Sequence, residues 1–123
     1  MQPFNPGHYL LVCSLSSARD PLLSGARVRA YIDLFRRCGG HGAPLERDDL
    51  AGLPPTHIVA AEHDPLCAEA ITLAARLSEA KVRASIRIAP GMIHGFLRAA
   101  GVSAAARAEI ANAAGAIRPW LKP

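Results

Sequence analysis

Apolar residues along this chain form three short, near-continuous runs that alternate with stretches of helical spacing. Near-continuous runs of this length are typical of strands buried in a parallel sheet. The runs span His8–Cys13, Thr56–Ala61 and Ala84–Ala89. In the last run Ile86 and Ile88 alternate with polar residues, so we expect one wetter face there, as at a sheet edge.

The three helical stretches have predictable ends. Ser24 is the predicted N-cap of the first, and Gly39-Gly40 its stop. Pro65 suits the first position of the second helix. Ser103 caps the third, and Pro119 ends it because proline cannot donate the next backbone hydrogen bond. The predicted inward faces are apolar: Val28, Tyr31, Ile32 and Phe35, then Leu66, Ala70, Leu73, Ala74 and Leu77, then Ala106, Ile110, Ala113, Ala114 and Ile117.

This alternation of strands and helices predicts an α/β fold with about three parallel strands flanked by helices. Two polar residues follow the second and third strands, Asp64 and His94. Carboxyl ends of neighbouring parallel strands meet at one sheet edge, so we expect the two side chains within hydrogen-bond reach. A carboxylate that fixes the tautomer of a histidine makes it a general base. On spacing alone, Asp64 also fits a helix N-cap, and His94 fits an ordinary loop histidine.

Three segments carry a more specific signal. Together they resemble the C-terminal part of the hormone-sensitive-lipase-like branch of the α/β-hydrolases (fold-3), closely over residues 44–121 and loosely over 8–43. The segments are Leu53-Pro54-Pro55, Ala61-Glu62-His63-Asp64-Pro65-Leu66 and Pro90-Gly91-Met92-Ile93-His94-Gly95-Phe96.

The resemblance implies a serine esterase or lipase that cleaves a small-molecule carboxylic ester through an acyl-enzyme. Asp64 would be the triad acid and His94 the triad base. The three strands would correspond to the last three of that sheet, and residues 1–123 to the C-terminal half of the domain. A cap-like segment would cover about 20–50, where Tyr31 and Phe35 either line the substrate pocket or simply pack, and 53–123 would form the acid- and histidine-bearing core.

The sequence departs from the family in the parts that perform the attack. It contains no G-x-S-x-G elbow and no His-Gly-Gly-Gly oxyanion loop. The nearest candidates fail on context, since they lack flanking glycines, the right order or a preceding strand: Ser14, Ser16, Ser17, Ser103 and Gly39-Gly40-His41-Gly42. Ala68 also stands where related sequences often carry an acid. We therefore expect a truncated chain that is inactive alone.

Two alternatives stay open beside that interpretation. One is a non-catalytic α/β binding or assembly module. The other is one half of an enzyme completed in trans by an N-terminal chain. Missing neighbours would leave one side of the sheet unpaired, which favours self-association or a complementing partner.

Composition narrows the remaining classes. A chain of 123 residues with 50% hydrophobic and 20% charged residues is one globular domain. The net charge of +4 comes from scattered arginines rather than a basic block, which argues against nucleic-acid binding. Three cysteines without a CxxC favour a reducing cytoplasm, and no apolar stretch reaches the ~20 residues of a membrane span.

Two pairs of side chains have the spacing that zinc ligands can show. Cys38 and His41 are three apart, and His63 and Cys67 are four apart. Neither pair has a convincing partner pair, so we expect no metal and no cofactor.

Overall fold

A computed structural model describes residues 22–40, 45 and 47–121. Within them the chain has a partial α/β fold, with helices flanking a parallel sheet. The elements are α1 (Gly25–Arg37), β1 (Thr56–Ala61), α2 (Cys67–Glu79), β2 (Ala84–Ala89), a 3-10 helix (Phe96–Ala99), α3 (Ala104–Ile117) and a terminal 3-10 turn (Arg118–Trp120). The predicted strand His8–Cys13 lies outside the described residues, so the described sheet has two strands rather than three. No helix of the described part is long and apolar enough to cross a membrane.

The two strands lie side by side and parallel, with the bounds that the sequence predicts. Thr56 is paired with Ala84 and Ala61 with Ala89, so both strands end level at one edge. Parallel neighbours need a crossover connection, which α2 supplies. The loops that follow β1 and β2 therefore emerge next to each other.

The face of the sheet that packs against α2 holds the main apolar cluster. Leu50, Leu77 and Val82 are 3%, 1% and 8% exposed, and Ile58 of β1 packs against them. Arg76 of α2 also donates to the carbonyls of Leu45 and Arg47. The helix thus fixes both the sheet and the segment that leads into β1.

The opposite face is covered by α3 in an orientation that corrects the prediction. Ile110 and Ile117, expected to face inward, are 44% and 36% exposed, whereas Glu109 is buried against Arg87 of β2. Glu109 accepts from Arg87 Nε at 2.5 Å and from Nη2 at 2.7 Å. A bidentate charged pair of this kind outweighs the alanine-rich helix's weak apolar preference, so it sets which side of α3 meets the sheet.

One face of β2 is wetter, as predicted, and it is the face that carries the isoleucines. Ile86 and Ile88 are 36% and 41% exposed, while the alternating Ser85 and Arg87 are half-buried. The polar face lies under α3, where Ser85 Oγ contacts His57 Nδ1 at 2.8 Å and Arg87 pairs with Glu109. The isoleucines are left at the margin of the described sheet.

The ends of α1 carry the predicted capping residues, whereas α2 begins later than predicted. Ser24 Oγ accepts from Arg27 N at 3.3 Å as the N-cap of α1, and Gly39 follows the C-cap with φ of +79°. Pro65 does not take the first position of α2, because the helix begins at Cys67. A turn at Asp64–Leu66 precedes it, closed by Cys67 N donating to Asp64 O at 3.0 Å.

Candidate functional site

Asp64 lies just beyond β1, held by its own backbone and by one carboxylate oxygen. Its N–H donates to Ala61 O at 3.2 Å, and its Oδ1 accepts from Leu66 N at 2.9 Å. The residue is only 9% exposed. The Oδ1 bond closes a turn before α2, so Asp64 is not the N-cap of that helix, which is Leu66. It leaves Oδ2 available to a second partner.

Oδ2 of Asp64 contacts His94, which comes from the loop after β2. The Nδ1–Oδ2 distance is 2.8 Å. The His94 side chain is 39% exposed and the Asp64 side chain 12%. Thirty positions separate them in the chain, and the parallel pairing of β1 with β2 brings them together. An imidazole bound through Nδ1 has Nε2 as the nitrogen that exchanges a proton with a reactant.

Backbone hydrogen bonds tie the two loops to each other. Glu62 N donates to Ala89 O at 3.1 Å and His63 N to Met92 O at 2.9 Å. The Glu62 side chain adds a third link, since its Oε2 accepts from Gly91 N at 2.7 Å. Gly91 has φ of +67°, a conformation that favours glycine. These links hold the His94 loop in register with Asp64, and the role of Glu62 had no sequence signal beyond lying in the motif.

His94 is followed by a tight left-handed step. Gly95 has φ of +74°, and the next residues close a 3-10 turn with Arg98 N donating to Gly95 O at 3.0 Å. A side chain at Gly95 would be strained by this backbone, whatever space it found.

Two side chains in the first turn of α2, Cys67 and Glu69, have raised pKa values, and the charge of Asp64 contributes to both. Burial raises the pKa of the Cys67 thiol, and the charges of Asp64, Glu62 and Glu69 add to the effect. Burial likewise raises the pKa of Glu69, with a smaller contribution from Asp64. Glu69 Oε2 is buried without a hydrogen-bond partner among the described residues. The acids therefore crowd the start of α2, and Glu69 resists ionisation.

An open pocket of about 660 Å³ lies beside His94. Its walls come from the start of α1 and from the loop and 3-10 helix after His94, and Tyr31 is among the lining residues. Phe35 packs instead against Gly40, where a Cβ would lie 2.4 Å from the phenyl ring. Of the two aromatic residues that could have lined a pocket, Tyr31 does so and Phe35 fills a packing role.

The other sequence candidates fall elsewhere. Ser103 Oγ accepts from Ala106 N at 3.2 Å and caps α3. Cys38 and Cys67 are free thiols. Among the described residues, no three metal-ligating side chains are close enough together to hold an ion. Ser14, Ser16, Ser17, His41 and Gly42 lie outside the described residues.

Comparison with known proteins extends these observations. The profile of the α/β hydrolase fold family matches residues 14–98. Carboxylesterase NlhH of Mycobacterium tuberculosis is 43% identical over 58 residues, which are 47% of this chain and 18% of that esterase.

Solved structures give the same result for the fold. Carboxyl esterase 2 of the fungus Tuber melanosporum superposes with a TM-score of 0.70 at 28% identity, over 84% of this chain and 38% of its own. Esterase LipW of Mycobacterium marinum superposes with a TM-score of 0.80 at 24% identity, over 94% of this chain and 38% of its own, a likeness of fold alone. The chain thus spans less than two fifths of the length of each of these three relatives.

Proposed function

Because the chain belongs to the α/β hydrolase fold family, we propose that it carries the acid and the base of a carboxylic-ester hydrolase, Asp64 and His94. The observation that carries the proposal is the 2.8 Å contact between Asp64 Oδ2 and His94 Nδ1 at the ends of adjacent parallel strands. The activity for which the relatives are named, carboxylesterase and esterase, supports the reaction class. The substrate is a small-molecule carboxylic ester, and the reaction needs no cofactor.

The proposed mechanism uses the imidazole twice. His94 Nε2 takes the proton of a serine hydroxyl as that oxygen attacks the ester carbonyl, and the resulting imidazolium gives the proton to the departing alcohol. Nε2 then takes a proton from water, which attacks the acyl-serine, and returns it to the serine oxygen as the acid leaves. Asp64 stays ionised throughout, orients the ring through Nδ1 and stabilises the imidazolium.

The serine and the oxyanion donors are proposed to come from outside these 123 residues, which contain neither G-x-S-x-G nor His-Gly-Gly-Gly. In this assignment residues 53–123 form the acid- and histidine-bearing core, and about 20–50 form a cap-like segment over the pocket. The free thiols Cys38 and Cys67 suit a reducing compartment such as the cytoplasm.

Association with another copy of this chain is a second proposal, favoured by two exposed isoleucines of the described sheet. Ile86 and Ile88 of the outer described strand are 36% and 41% exposed, a surface that association would cover. Sedimentation velocity of the purified chain tests this. Concentration-dependent association is the expected result, and a well-folded monomer at all concentrations would contradict it.

The catalytic proposal is tested with p-nitrophenyl acetate. The polypeptide of these residues should show no turnover above a His94→Ala control. Adding a chain that supplies both missing motifs should restore turnover that depends on His94 and Asp64. Activity of the polypeptide by itself, lost in His94→Ala and blocked by a serine-directed organophosphate, would overturn the assignment of the nucleophile to sequence outside.

A further inference from the structure

The pocket beside His94 combines an apolar wall with positively charged side chains. Much of its described wall is apolar and includes Leu22, Leu23, Ile93 and Phe96. Such a surface suits the aliphatic body of a small ligand. The same wall also carries two guanidinium groups, and no described carboxylate lines it.

The first guanidinium belongs to Arg27, on the first turn of α1. Its Nη1 donates to the carbonyl of Leu22, another lining residue, at 3.2 Å. That bond ties the exposed head group to the pocket wall. The positive end of the α1 dipole lies on the same side and adds to the field of the arginine.

The second guanidinium belongs to Arg98, in the 3-10 helix after His94. Its stem runs past Gly95, since a Cβ on that glycine would lie 3.8 Å from Arg98 Cδ. Neither Arg27 nor Arg98 forms an ion pair with a carboxylate of the described residues; the arginine pair found there joins Arg87 to Glu109. Asp64, the acid of the site, is engaged by the imidazole through Oδ2.

We propose that this pocket selects esters that carry a carboxylate on one of their two halves, such as half-esters of aliphatic dicarboxylic acids. The aliphatic segment would lie on the apolar wall and the carboxylate would meet Arg27 and Arg98, which places the ester carbonyl toward His94. Guanidinium groups bind carboxylates with charge-assisted hydrogen bonds. The net charge of +4 would also favour the approach of an anion. This inference rests on the proposed function, because it names the substrate class of the same site.

The test is a binding experiment with a matched pair of probes, monoethyl adipate and diethyl adipate. They share the adipate skeleton and one ethyl ester, and the second carboxyl group is a free anion in the half-ester and a neutral ethyl ester in the diester. Titration of the full chain, followed by amide chemical shifts in NMR, gives both affinities without any need for turnover. We expect the half-ester to bind about tenfold more tightly, with a preference that shrinks between about 50 mM and about 500 mM salt.

Arginine variants locate the source of the preference. Arg27→Gln and Arg98→Gln should each weaken half-ester binding about threefold, a modest figure because both side chains are exposed, and leave diester binding unchanged. The double variant should abolish the preference. Arg118→Gln is the matched control, since it removes an exposed arginine from the terminal 3-10 turn and should change neither affinity.

The outcomes separate this inference from the catalytic proposal. Equal affinity for the two probes, no binding of either, or an equal loss in Arg118→Gln would overturn the anionic-substrate assignment. His94→Gln should keep the preference for the half-ester, because the arginines supply it. A preference that persists while turnover with a complementing chain never appears would sink the catalytic proposal and leave the pocket assignment standing.

Discussion

Two of the described carboxylates pair with nitrogen-containing side chains, Glu109 with Arg87 and Asp64 with His94, and the two partners give them different roles. Both carboxylate oxygens of Glu109 accept hydrogen bonds from Arg87, whose guanidinium keeps its proton at any accessible pH. Asp64 Oδ1 accepts from the Leu66 amide, and Oδ2 contacts Nδ1 of His94, an imidazole that can both accept and donate a proton. The first pair is suited to holding α3 on the sheet. The second is suited to moving a proton at the sheet edge.

The largest effect is expected from breaking the Arg87–Glu109 pair, which holds α3 on the sheet. Glu109→Ala should lower the melting temperature by several degrees, because it removes the two charge-assisted hydrogen bonds that join α3 to Arg87 of β2. Replacing both residues by methionine should recover most of the loss. Glu79→Ala, at an exposed position of α2, is the control for removing one glutamate. Thermal unfolding measures all of them, and equal melting temperatures for Glu109→Ala and Glu79→Ala would refute the role of the pair.

The Arg87–Glu109 pair should also make the stability of the fold depend on pH in the acidic range. The hydrogen bond from Arg87, and to a lesser degree its charge, lowers the pKa of Glu109 below the ordinary 4.5, against the opposing effect of burial. A group whose folded pKa is lowered adds stability above its unfolded pKa and loses it as the pH falls through the folded value. Stability should therefore fall as the pH drops below about 4.5. Denaturant titrations at several pH values check this, and Arg87→Met should flatten that part of the profile; an unchanged profile would contradict it.

These two regions also differ in how far the sequence predicted them. Both described strands, the cap of α1 at Ser24 and the approach of Asp64 to His94 follow from local patterns and from the parallel order of strands. The orientation of α3 does not, because an alanine-rich helix has no strong apolar stripe and no motif marks Glu109 or Arg87 as partners. The predicted start of α2 at Pro65 was wrong by two residues, because the side chain of Asp64 closes a turn before the helix begins at Cys67. The arginines of the pocket had no motif to mark them.

Replacing Glu69, which lies near the Asp64–His94 pair, should have a smaller effect on the melting temperature, and one of opposite sign. Burial, and less strongly the charge of Asp64, raises its pKa above 4.5. A carboxyl with a raised folded pKa loses its stabilising contribution as the pH rises through that value, so ionised Glu69 costs stability at neutral pH. Glu69→Gln should raise the melting temperature by about 2 °C at neutral pH. The gain should vanish near pH 4, and a gain that is the same at both pH values would exclude this cause.

The smallest effect is expected where Glu62 links the two loops of the site. Glu62→Ala removes the hydrogen bond to Gly91 N but leaves the backbone links in place. A half-exposed bond of this kind contributes about 0.5 kcal/mol, so amide exchange at Gly91 should accelerate about twofold with little change in global stability. Native-state hydrogen exchange measures it, with Glu79→Ala as control. Uniform acceleration over the whole sheet would mean that Glu62 supports the fold rather than the loop.

The account depends most on Asp64 holding His94 through Nδ1, and nitrogen NMR of the imidazole tests that contact directly. At a pH where the ring is neutral, the His94 spectrum should show a protonated Nδ1 with a downfield-shifted proton and an unprotonated Nε2. Asp64→Ala should abolish the downfield signal while the fold is retained. A neutral His94 protonated on Nε2, with the same spectrum in Asp64→Ala, would contradict the account.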